Sequence, residues 1–231
     1  AVVDGTVYTT GNTKAGQSVI ARRVSDGSEV WTTAITAKAP KHGSPGARCT
    51  PAVTEKRVYV IGSDGQVACL NRQDGSIVWS RSFTKEWDGK MMSGWGFSES
   101  PLIDGDRIIC TPGGNDALIV ALDRHTGEEI WASASFNSEN GKDGAGYSSV
   151  VISEACGVKQ YLTLVGRGIV SVSANDGSIL WTYAAVANKT ANIPTPVIMD
   201  DYVFCSSGYG TGSALLHITN DGQGLTANEE Y

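Results

Sequence analysis

Charged side chains are scarce in this sequence: Asp, Glu, Lys and Arg make up 18% of the 231 residues, against about 25% in ordinary globular proteins. Hydrophobic residues make up 41%, so the chain can bury a core, and a disordered chain or a coiled coil is excluded. Basic runs are absent and the formal net charge is -6, which argues against nucleic acid as a partner. No stretch approaches the roughly 18 consecutive apolar residues of a membrane span, so we expect no transmembrane segment.

Paired cysteines and clustered histidines are also missing. The five cysteines, at 49, 69, 110, 156 and 205, are too far apart for a CxxC metal or redox site. The three histidines show no metal-binding spacing, and no nucleophile-elbow motif occurs. Zinc and serine-hydrolase chemistry are therefore disfavoured. The chain opens at Ala1, without methionine or a signal peptide, so we expect a processed protein or a fragment.

Glycine, in contrast, is abundant, with 28 residues, and many of the glycines mark an internal repeat. The segment Asp26–Trp31 (DGSEVW) has three close copies and a degenerate fifth unit, in which leucine takes the place of tryptophan. The copies are Asp74–Trp79, Thr126–Trp131, Asp176–Trp181 and Asp221–Leu225. A fixed period near 50 residues predicts a repeat architecture.

Each repeat contains four short β-rich runs separated by turn residues. In the second unit these runs are 51–53, 57–61, 66–70 and 77–80, with Asp-Gly pairs at the tight turns. Four antiparallel strands per repeat of this length are typical of a β-propeller blade. The sequence therefore predicts an all-β chain, a single propeller domain over 1–231, with blades at about 1–35, 49–84, 99–136, 148–186 and 194–231. We expect these five blades to form an arc of a larger seven- or eight-bladed ring.

The motif around Trp131 connects these repeats to a known family. Ala121, Asp123, Thr126, Gly127 and Trp131 form the pattern A-x-D-x-x-T-G-x-x-x-W, which resembles the tryptophan-docking motif of PQQ-like repeat propellers. The segments 95–101 (WGFSESP) and 192–196 (NIPTP) resemble the narrower group of planctomycete-type PQQ-binding-like propellers. The resemblance implies an exported protein of the periplasm or cell envelope.

This resemblance implies two different functions. Quinoprotein dehydrogenases bind PQQ and a Ca²⁺ held by Glu, Asn and Asp, with an adjacent Cys-Cys disulfide over the quinone. The propeller lipoprotein of the BAM complex has no cofactor and acts as a scaffold. Our sequence has no adjacent cysteine pair, and the fold alone does not decide between the two functions.

Candidate site residues come from the segments that enter the first strand of each blade, because these strands line the channel of a propeller. The segments are 46–50, 95–100, 146–149 and 191–195. By resemblance, Arg48, Trp95, Glu99 and Asn192 are the candidates for cofactor binding. Glu99 and Asn192 are also the candidate Ca²⁺ ligands, since that ion prefers oxygen donors; the third ligand, an aspartate, is missing. In the alternative, Glu99 pairs with Arg48 or caps backbone amides.

A partner surface is predicted from exposed aromatic residues near the channel mouth. The connection 85–96 (KEWDGKMMSGWG) carries Trp87 and Trp95 outside the repeat, and Tyr147 and Tyr209 lie in comparable connections. Apolar side chains in loops often form binding surfaces, although packing beneath the propeller face is an equal alternative.

The leading hypothesis is a non-catalytic propeller that binds or scaffolds a protein or carbohydrate partner. The alternative is a quinoprotein-type alcohol or sugar dehydrogenase that uses PQQ and calcium, with part of its site outside this chain.

Overall fold

Each sequence repeat folds into one four-stranded antiparallel sheet, whose strands pair in the order of the chain. The computed structural model describes residues 1–42, 46 and 48–231, so Ala47 of the segment 46–50 lies outside the described residues. Five such sheets account for all the strands in this part of the chain, and we call them blades 1 to 5. The prediction of an all-β propeller built of four-stranded antiparallel blades is confirmed.

The strands alternate direction within each blade, and short hairpins connect them. Blade 1 contains β1 (Val2–Val3), β2 (Thr6–Thr13), β3 (Gly16–Arg23) and β4 (Glu29–Ala34); blade 2 contains β5 (Ala52–Val53), β6 (Arg57–Ile61), β7 (Gln66–Asn71) and β8 (Ile77–Ser82). Blade 3 contains β9 (Leu102–Asp104), β10 (Arg107–Cys110), β11 (Ile119–Asp123) and β12 (Glu129–Ser133). Blade 4 contains β13 (Val151–Ser153), β14 (Gln160–Val165), β15 (Gly168–Ser173) and β16 (Ile179–Tyr183); blade 5 contains β17 (Val197–Met199), β18 (Tyr202–Ser207), β19 (Gly212–Asn220) and β20 (Leu225–Glu229). A short helix α1 (Phe83–Glu86) follows blade 2, and a 3₁₀ helix (Ala155–Gly157) lies in the first hairpin of blade 4.

A shared irregularity places the motif tryptophan in blades 1 to 4. In each of these blades the pairing of the last two strands shifts register just after the residue opposite the tryptophan. The opposed pairs are Ala21 with Trp31, Cys69 with Trp79, Ala121 with Trp131, and Ser171 with Trp181. Such a bulge bends the strand and redirects side chains. All four indoles are buried.

Three of these indoles pack against the glycine in the last hairpin of the next blade. A Cβ added to Gly75 would lie 2.6 Å from the Trp31 ring, and one added to Gly127 would lie 2.7 Å from the Trp79 ring. Gly177 and Trp131 repeat this arrangement. Glycine is required here for two reasons, because its φ is positive and because a side chain would occupy the space of the ring.

Hydrogen bonds join the same hairpins. Trp31 Nε1 donates to the carbonyl of Arg72 at 3.0 Å, and Trp79 Nε1 donates to the carbonyl of Arg124 at 2.9 Å. In blade 4 the Arg107 guanidinium donates to the equivalent carbonyl, that of Ala174. Trp131 Nε1 is buried and has no partner among the described residues.

Blade 5 differs from the sequence expectation. Its strand β19 pairs with β20 without a register shift, from Leu216 opposite Glu229 to Asn220 opposite Leu225. Beyond this ladder the amide of Glu230 donates to the carbonyl of Leu215 and the amide of Leu215 donates to the carbonyl of Tyr231, so Tyr231, rather than Leu225, occupies the position of the motif tryptophan. The hairpin at Asp221 therefore lies farther out than the docking hairpins, and a Cβ on Gly222 would meet nothing within 4 Å.

The blades form an open arc. Among the described residues, no hydrogen bond or ion pair connects blade 1 with blade 5, whereas Tyr183 of blade 4 donates to Glu229 of blade 5 at 2.6 Å. The membership of this arc in a larger ring stays a prediction. Within the described ranges, no helix has the length and apolar character needed to cross a membrane.

Candidate functional site

The entrances of four consecutive first strands are joined by a ladder of hydroxyl groups. Ser100 Oγ accepts the amide N–H of Thr50 at 3.1 Å, Ser149 Oγ accepts that of Ser100 at 2.9 Å, and Thr195 Oγ1 accepts that of Ser149 at 3.2 Å. Each of these residues lies two positions before the first strand of its blade. Because strand direction alternates, all the connections that enter these strands lie on the same face of the arc, which we call the entrance face.

In blades 2 to 4, the residue just before each of these hydroxyl-bearing residues makes a second set of equivalent contacts. The Sγ of Cys49, the carboxylate of Glu99 and the hydroxyl of Ser148 each accept a backbone N–H from the second strand of their own blade or the residue just after it. The donors are Ile61 at 3.3 Å, Thr111 at 2.6 Å and Leu164 at 3.4 Å. One acceptor atom is therefore enough to bond the backbone N–H at this position. In blade 3 that acceptor belongs to a carboxyl group.

Glu99 is the buried carboxyl of the entrance face, with 3% of its surface exposed. Its Oε1 accepts a hydrogen bond from the backbone N–H of Thr111. This is the contact that the alternative interpretation, in which Glu99 caps backbone amides, predicted. Its Oε2 and the Thr111 hydroxyl have no hydrogen-bond partner among the described residues. Burial raises the pKa of the Glu99 carboxyl to about 7, because desolvation penalises the charged form. The carboxyl can therefore hold or release a proton near neutral pH.

Two buried thiols lie close to this carboxyl. Burial raises the pKa of Cys49 to about 12, and that of Cys110 also lies well above its ordinary value, with the Glu99 charge contributing to both. Both cysteines are free. Their thiols stay protonated at physiological pH, so they act as small apolar side chains rather than as nucleophiles.

Asn192 lies in the segment that enters blade 5 and is fully buried. Its Nδ2 donates to the carbonyls of Val165 and Gly166 at 2.9 and 3.1 Å. Its Oδ1 accepts the amide of Asn188 at 3.0 Å and the hydroxyl of Ser207 at 3.2 Å. The side chain thus joins the hairpin between β14 and β15 of blade 4 to the end of β18 in blade 5. A carboxamide oxygen has two lone pairs, so a metal at Asn192 would have to displace one of these bonds, and the assignment of Asn192 as a Ca²⁺ ligand stays a prediction.

Trp95 and Tyr147 meet edge to face, with ring centroids 5.9 Å apart. The Tyr147 hydroxyl lies 2.6 Å from the hydroxyl of Ser93, which donates to the carbonyl of Thr190 at 2.8 Å. The amide of Tyr147 donates to the carbonyl of Asn192 at 2.8 Å. The structure therefore brings together three of the predicted residues, Trp95, Tyr147 and Asn192.

The other predicted residues lie apart from this group. Arg48 donates to the carbonyl of Gly46 at 3.1 Å. Trp87 Nε1 donates to Glu129 Oε2 at 2.5 Å, on the wall of a cleft of about 610 Å³ that also contains Lys90. Tyr209 lies in the second hairpin of blade 5 and is exposed.

Sequence reasoning did not find the residues that support the aromatic pair. Met92 is buried, and its Sδ accepts the amide N–H of Asn192 at 3.3 Å. The recurrence of Thr50-Pro51, Ser100-Pro101 and Thr195-Pro196 was the available signal for the hydroxyl ladder. In the described part of the chain, no group of three or more His, Cys, Asp or Glu side chains has the geometry to hold a metal ion.

Comparison with known proteins identifies relatives of two kinds. The family model of the outer membrane protein assembly factor BamB matches residues 15–230. The structure of BamB from Moraxella catarrhalis aligns with a TM-score of 0.66 at 16% identity, over 99% of this chain and 62% of that chain. The quinohemoprotein alcohol dehydrogenase from Comamonas testosteroni aligns with a TM-score of 0.58 at 15% identity, over 94% of this chain and 39% of that chain. Among curated proteins, none matches the sequence significantly.

These identities establish a shared fold and nothing finer. Our chain spans less than two thirds of the length of either solved structure. A designed protein, Ika8, aligns as well, with a TM-score of 0.64 at 13% identity, over 94% of this chain and 57% of that chain. The fold therefore occurs in an assembly factor, an oxidoreductase and a designed protein.

Proposed function

The chain belongs to the family of the outer membrane protein assembly factor BamB, and on that premise we propose that it is a non-catalytic scaffold that holds a protein partner on its entrance face. The family resemblance predicted from the tryptophan motif is confirmed by this match. The name of the family also supports a location in the cell envelope. A substrate or a cofactor is not needed for this role.

The half-exposed aromatic pair of Trp95 and Tyr147 carries the proposal. Trp95 leaves 39% of its surface accessible, and Ile193, next to Asn192, leaves 53%. Tryptophan and tyrosine dominate the energetic centres of protein interfaces, because each buries a large area at a low cost in side-chain entropy. An exposed aromatic side chain that the protein holds in place is more useful for binding than a mobile one.

The pair is held rigidly. The Tyr147 hydroxyl is hydrogen-bonded to Ser93 and lies 3.4 Å from the amide of Trp95. Met91 forms a parallel bridge with Ala145, and the amide of Met92 donates to the carbonyl of Ala145 at 3.0 Å. The loop with Trp95 is thereby fixed to the loop with Tyr147. We expect the surface to bind without rearranging its backbone.

Affinity capture with matched variants tests this proposal. The tagged chain is incubated with a crosslinked envelope extract of its source organism, and the retained proteins are compared between the wild type, Trp95→Ala with Tyr147→Ala, and Tyr231→Ala. Tyr231 is exposed (69%) and outside the patch, so its variant controls for the loss of an exposed aromatic ring. We expect a retained protein to be lost only in the double variant.

Two other outcomes decide against the proposal or refine it. Retention of every partner by the double variant, with an unchanged melting temperature, removes the patch as the binding surface. Release of the captured material by a glycosidase instead identifies a carbohydrate as the occupant and contradicts a protein partner. Tyr209→Ala and Trp87→Ala, measured in the same way, show whether those two residues belong to the surface.

The unpartnered Oε2 of Glu99 favours the second candidate function, a PQQ-dependent dehydrogenase. If PQQ and Ca²⁺ were bound here, Glu99, Asn192, Arg48 and Trp95 would be the residues to hold them, and the quinone would supply the oxidising group. The fit is poor at Asn192, because both lone pairs of its Oδ1 are already engaged. Incubation with PQQ and Ca²⁺ is followed by absorption spectroscopy and dye-linked alcohol oxidation. Bound quinone with turnover contradicts the scaffold, and the absence of both contradicts the dehydrogenase.

A further inference from the structure

The face opposite the entrance face contains the first hairpin of each blade, and at two junctions a carboxylate from this hairpin binds the next blade. Between blades 1 and 2, Asp4 accepts a hydrogen bond from Arg72 Nη2 at 2.6 Å, and Arg72 Nε donates to the Tyr8 hydroxyl at 3.0 Å. Between blades 3 and 4, Asp104 accepts from Lys159 and from the Tyr161 hydroxyl, both at 2.6 Å. Each cluster contains a carboxylate, a cation and a tyrosine.

The junction between blades 2 and 3 lacks this bridge. In the described chain, no side chain of its first hairpin, Thr54 to Arg57, is hydrogen-bonded or ion-paired to blade 3. Arg124, which is equivalent to Arg72, instead pairs with Asp106 of its own blade at 3.0 Å. His125 also lies 3.2 Å from that aspartate.

A cleft of about 400 Å³ lies at this junction. Its walls are formed by the first hairpin of blade 2, by Tyr59 and by the last hairpin of blade 3, through the residues Thr54, Glu55, Lys56, Arg57, Tyr59, Arg124 and His125. The cleft has enough space for a side chain and its backbone, but it is too polar for a large apolar ligand.

The charge of the cleft is positive, although the protein carries a net charge of -6. Lys56, Arg57 and Arg124 contribute three cations, against the carboxylate of Glu55 and that of Asp106, which already pairs with Arg124. Neither Lys56 nor Arg57 has an ion pair among the described residues, and Arg57 Nη1 donates to the carbonyl of Lys56 at 3.2 Å. The charges of Arg57 and Arg124 both reach the Tyr59 hydroxyl, where they oppose the rise in its pKa that burial causes.

We propose that the cleft between blades 2 and 3 binds a carboxylate side chain, Asp or Glu, of a protein partner. The two neighbouring clusters show that a carboxylate satisfies a cation and a tyrosine at a junction between blades, and among the described residues no carboxylate pairs with Lys56 or Arg57. A guanidinium and a carboxylate form strong, directed hydrogen bonds. The site lies on the face away from Trp95, so it does not depend on the entrance-face surface.

Titration with a short acidic peptide tests the site. The probe is acetyl-Glu-Glu-Glu-amide, compared with acetyl-Gln-Gln-Gln-amide, added to the ¹⁵N-labelled 231-residue chain at low ionic strength, where screening is weakest. We expect the glutamate peptide to shift the amide signals of 54–59 and 124–125. We expect Lys56→Gln with Arg57→Gln to weaken binding about tenfold, since each exposed ion pair contributes up to about 1 kcal/mol.

The control is Arg22→Gln, which removes an exposed arginine that already pairs with Glu29 at 3.6 Å. Its affinity for the probe should equal that of the wild type. Equal affinity of the double variant and the wild type overturns the proposal, as does equal binding of the glutamine peptide. Signal shifts with inorganic phosphate but none with the glutamate peptide also overturn it, because the cleft is then a phosphate site. Both replaced side chains are on the surface hairpin, and an unchanged melting temperature confirms that the variant is folded.

Discussion

Replacing Gly75 by alanine should destabilise the chain far more than replacing Gly27. Both glycines lie in an Asp-Gly-Ser hairpin, with φ values of +74° and +70°. In both hairpins the aspartate Oδ1 accepts the serine amide at 2.9 Å. The two glycines differ in the space around them, because the Trp31 indole packs on Gly75 and nothing lies within 4 Å of the Cβ position of Gly27.

The expected magnitudes follow from these contacts. Alanine at a positive φ costs about 1 to 2 kcal/mol at either site. At Gly75 the new Cβ would also lie 2.6 Å from two atoms of the Trp31 ring and 2.8 Å from Thr33 Oγ1. Moving a packed ring typically costs a further 1 to 3 kcal/mol. The difference between the two variants therefore isolates the contact between blades 1 and 2.

Urea unfolding followed by circular dichroism measures this difference. We expect Gly75→Ala to lower the free energy of unfolding by about 2 to 5 kcal/mol and Gly27→Ala by about 1 to 2 kcal/mol. Intrinsic fluorescence of the folded state should change in Gly75→Ala alone, since only there does an indole move. Equal losses in the two variants would refute the reasoning, because the cost would then come from the backbone and not from the indole.

Three further predictions concern the entrance face. The pKa of Glu99 is raised to about 7, so the folded state binds more protons than the unfolded state between about pH 4.5 and 7. The free energy of unfolding should fall by up to about 3 kcal/mol as the pH rises through this range. Glu99→Gln should abolish this pH dependence in thermal melts. If the variant keeps the pH profile of the wild type, the burial of the carboxyl is contradicted. Asn192→Ala should cost about 2 to 4 kcal/mol in urea unfolding, since it removes hydrogen bonds to two carbonyls and from two donors. A loss below that of Ser207→Ala would contradict the role of Asn192 in joining blades 4 and 5. Ser149→Ala should cost about 1 kcal/mol and speed hydrogen exchange at the amide of Ser100, whereas unchanged exchange would rule out that bond.

The repeat made most of the fold predictable. Four short β-rich runs per repeat and Asp-Gly pairs at the hairpins specify local structure, and the buried indoles specify how one blade meets the next. The four strands predicted in the second unit match β5 to β8 within two residues at each end. Local propensity, hydrophobic pattern and turn chemistry agree throughout this unit, which is the condition for a reliable prediction.

Blade 5 was less predictable because two signals conflicted. Asp221 and Gly222 have the composition of a docking hairpin, but β19 continues to Asn220 and pairs with β20 in an unshifted register. Register depends on which residues face the neighbouring blade, and this is a tertiary property. The sequence of the hairpin alone therefore places the tryptophan position at Leu225, whereas the pairing places it at Tyr231.

The candidate site was predictable as a location but not as a set of contacts. The position before the first strand led to Glu99, Asn192 and Tyr147, and two of these three side chains turn out to be buried. Whether Asn192 has a free oxygen depends on Asn188 and Ser207, which come from other loops. The sequence shows the type of a side chain, but the structure is needed to find which lone pairs remain available.

Departures from the repeat are the best guide to function in this chain, because the repeat itself explains the rest. At the position of Glu99, blades 2 and 4 have Cys49 and Ser148. Each supplies the one acceptor atom that the backbone N–H at this position needs. A glutamate there buries a second oxygen with no partner, at a cost that the fold does not require. The cleft at Arg57 is a departure of the same kind, since at the two neighbouring junctions a carboxylate bridges the blades, and among the described residues none does so here. Both departures involve blade 3, but they lie on opposite faces. A variant at Glu99 therefore changes one of them, and a double variant at Lys56 and Arg57 changes the other.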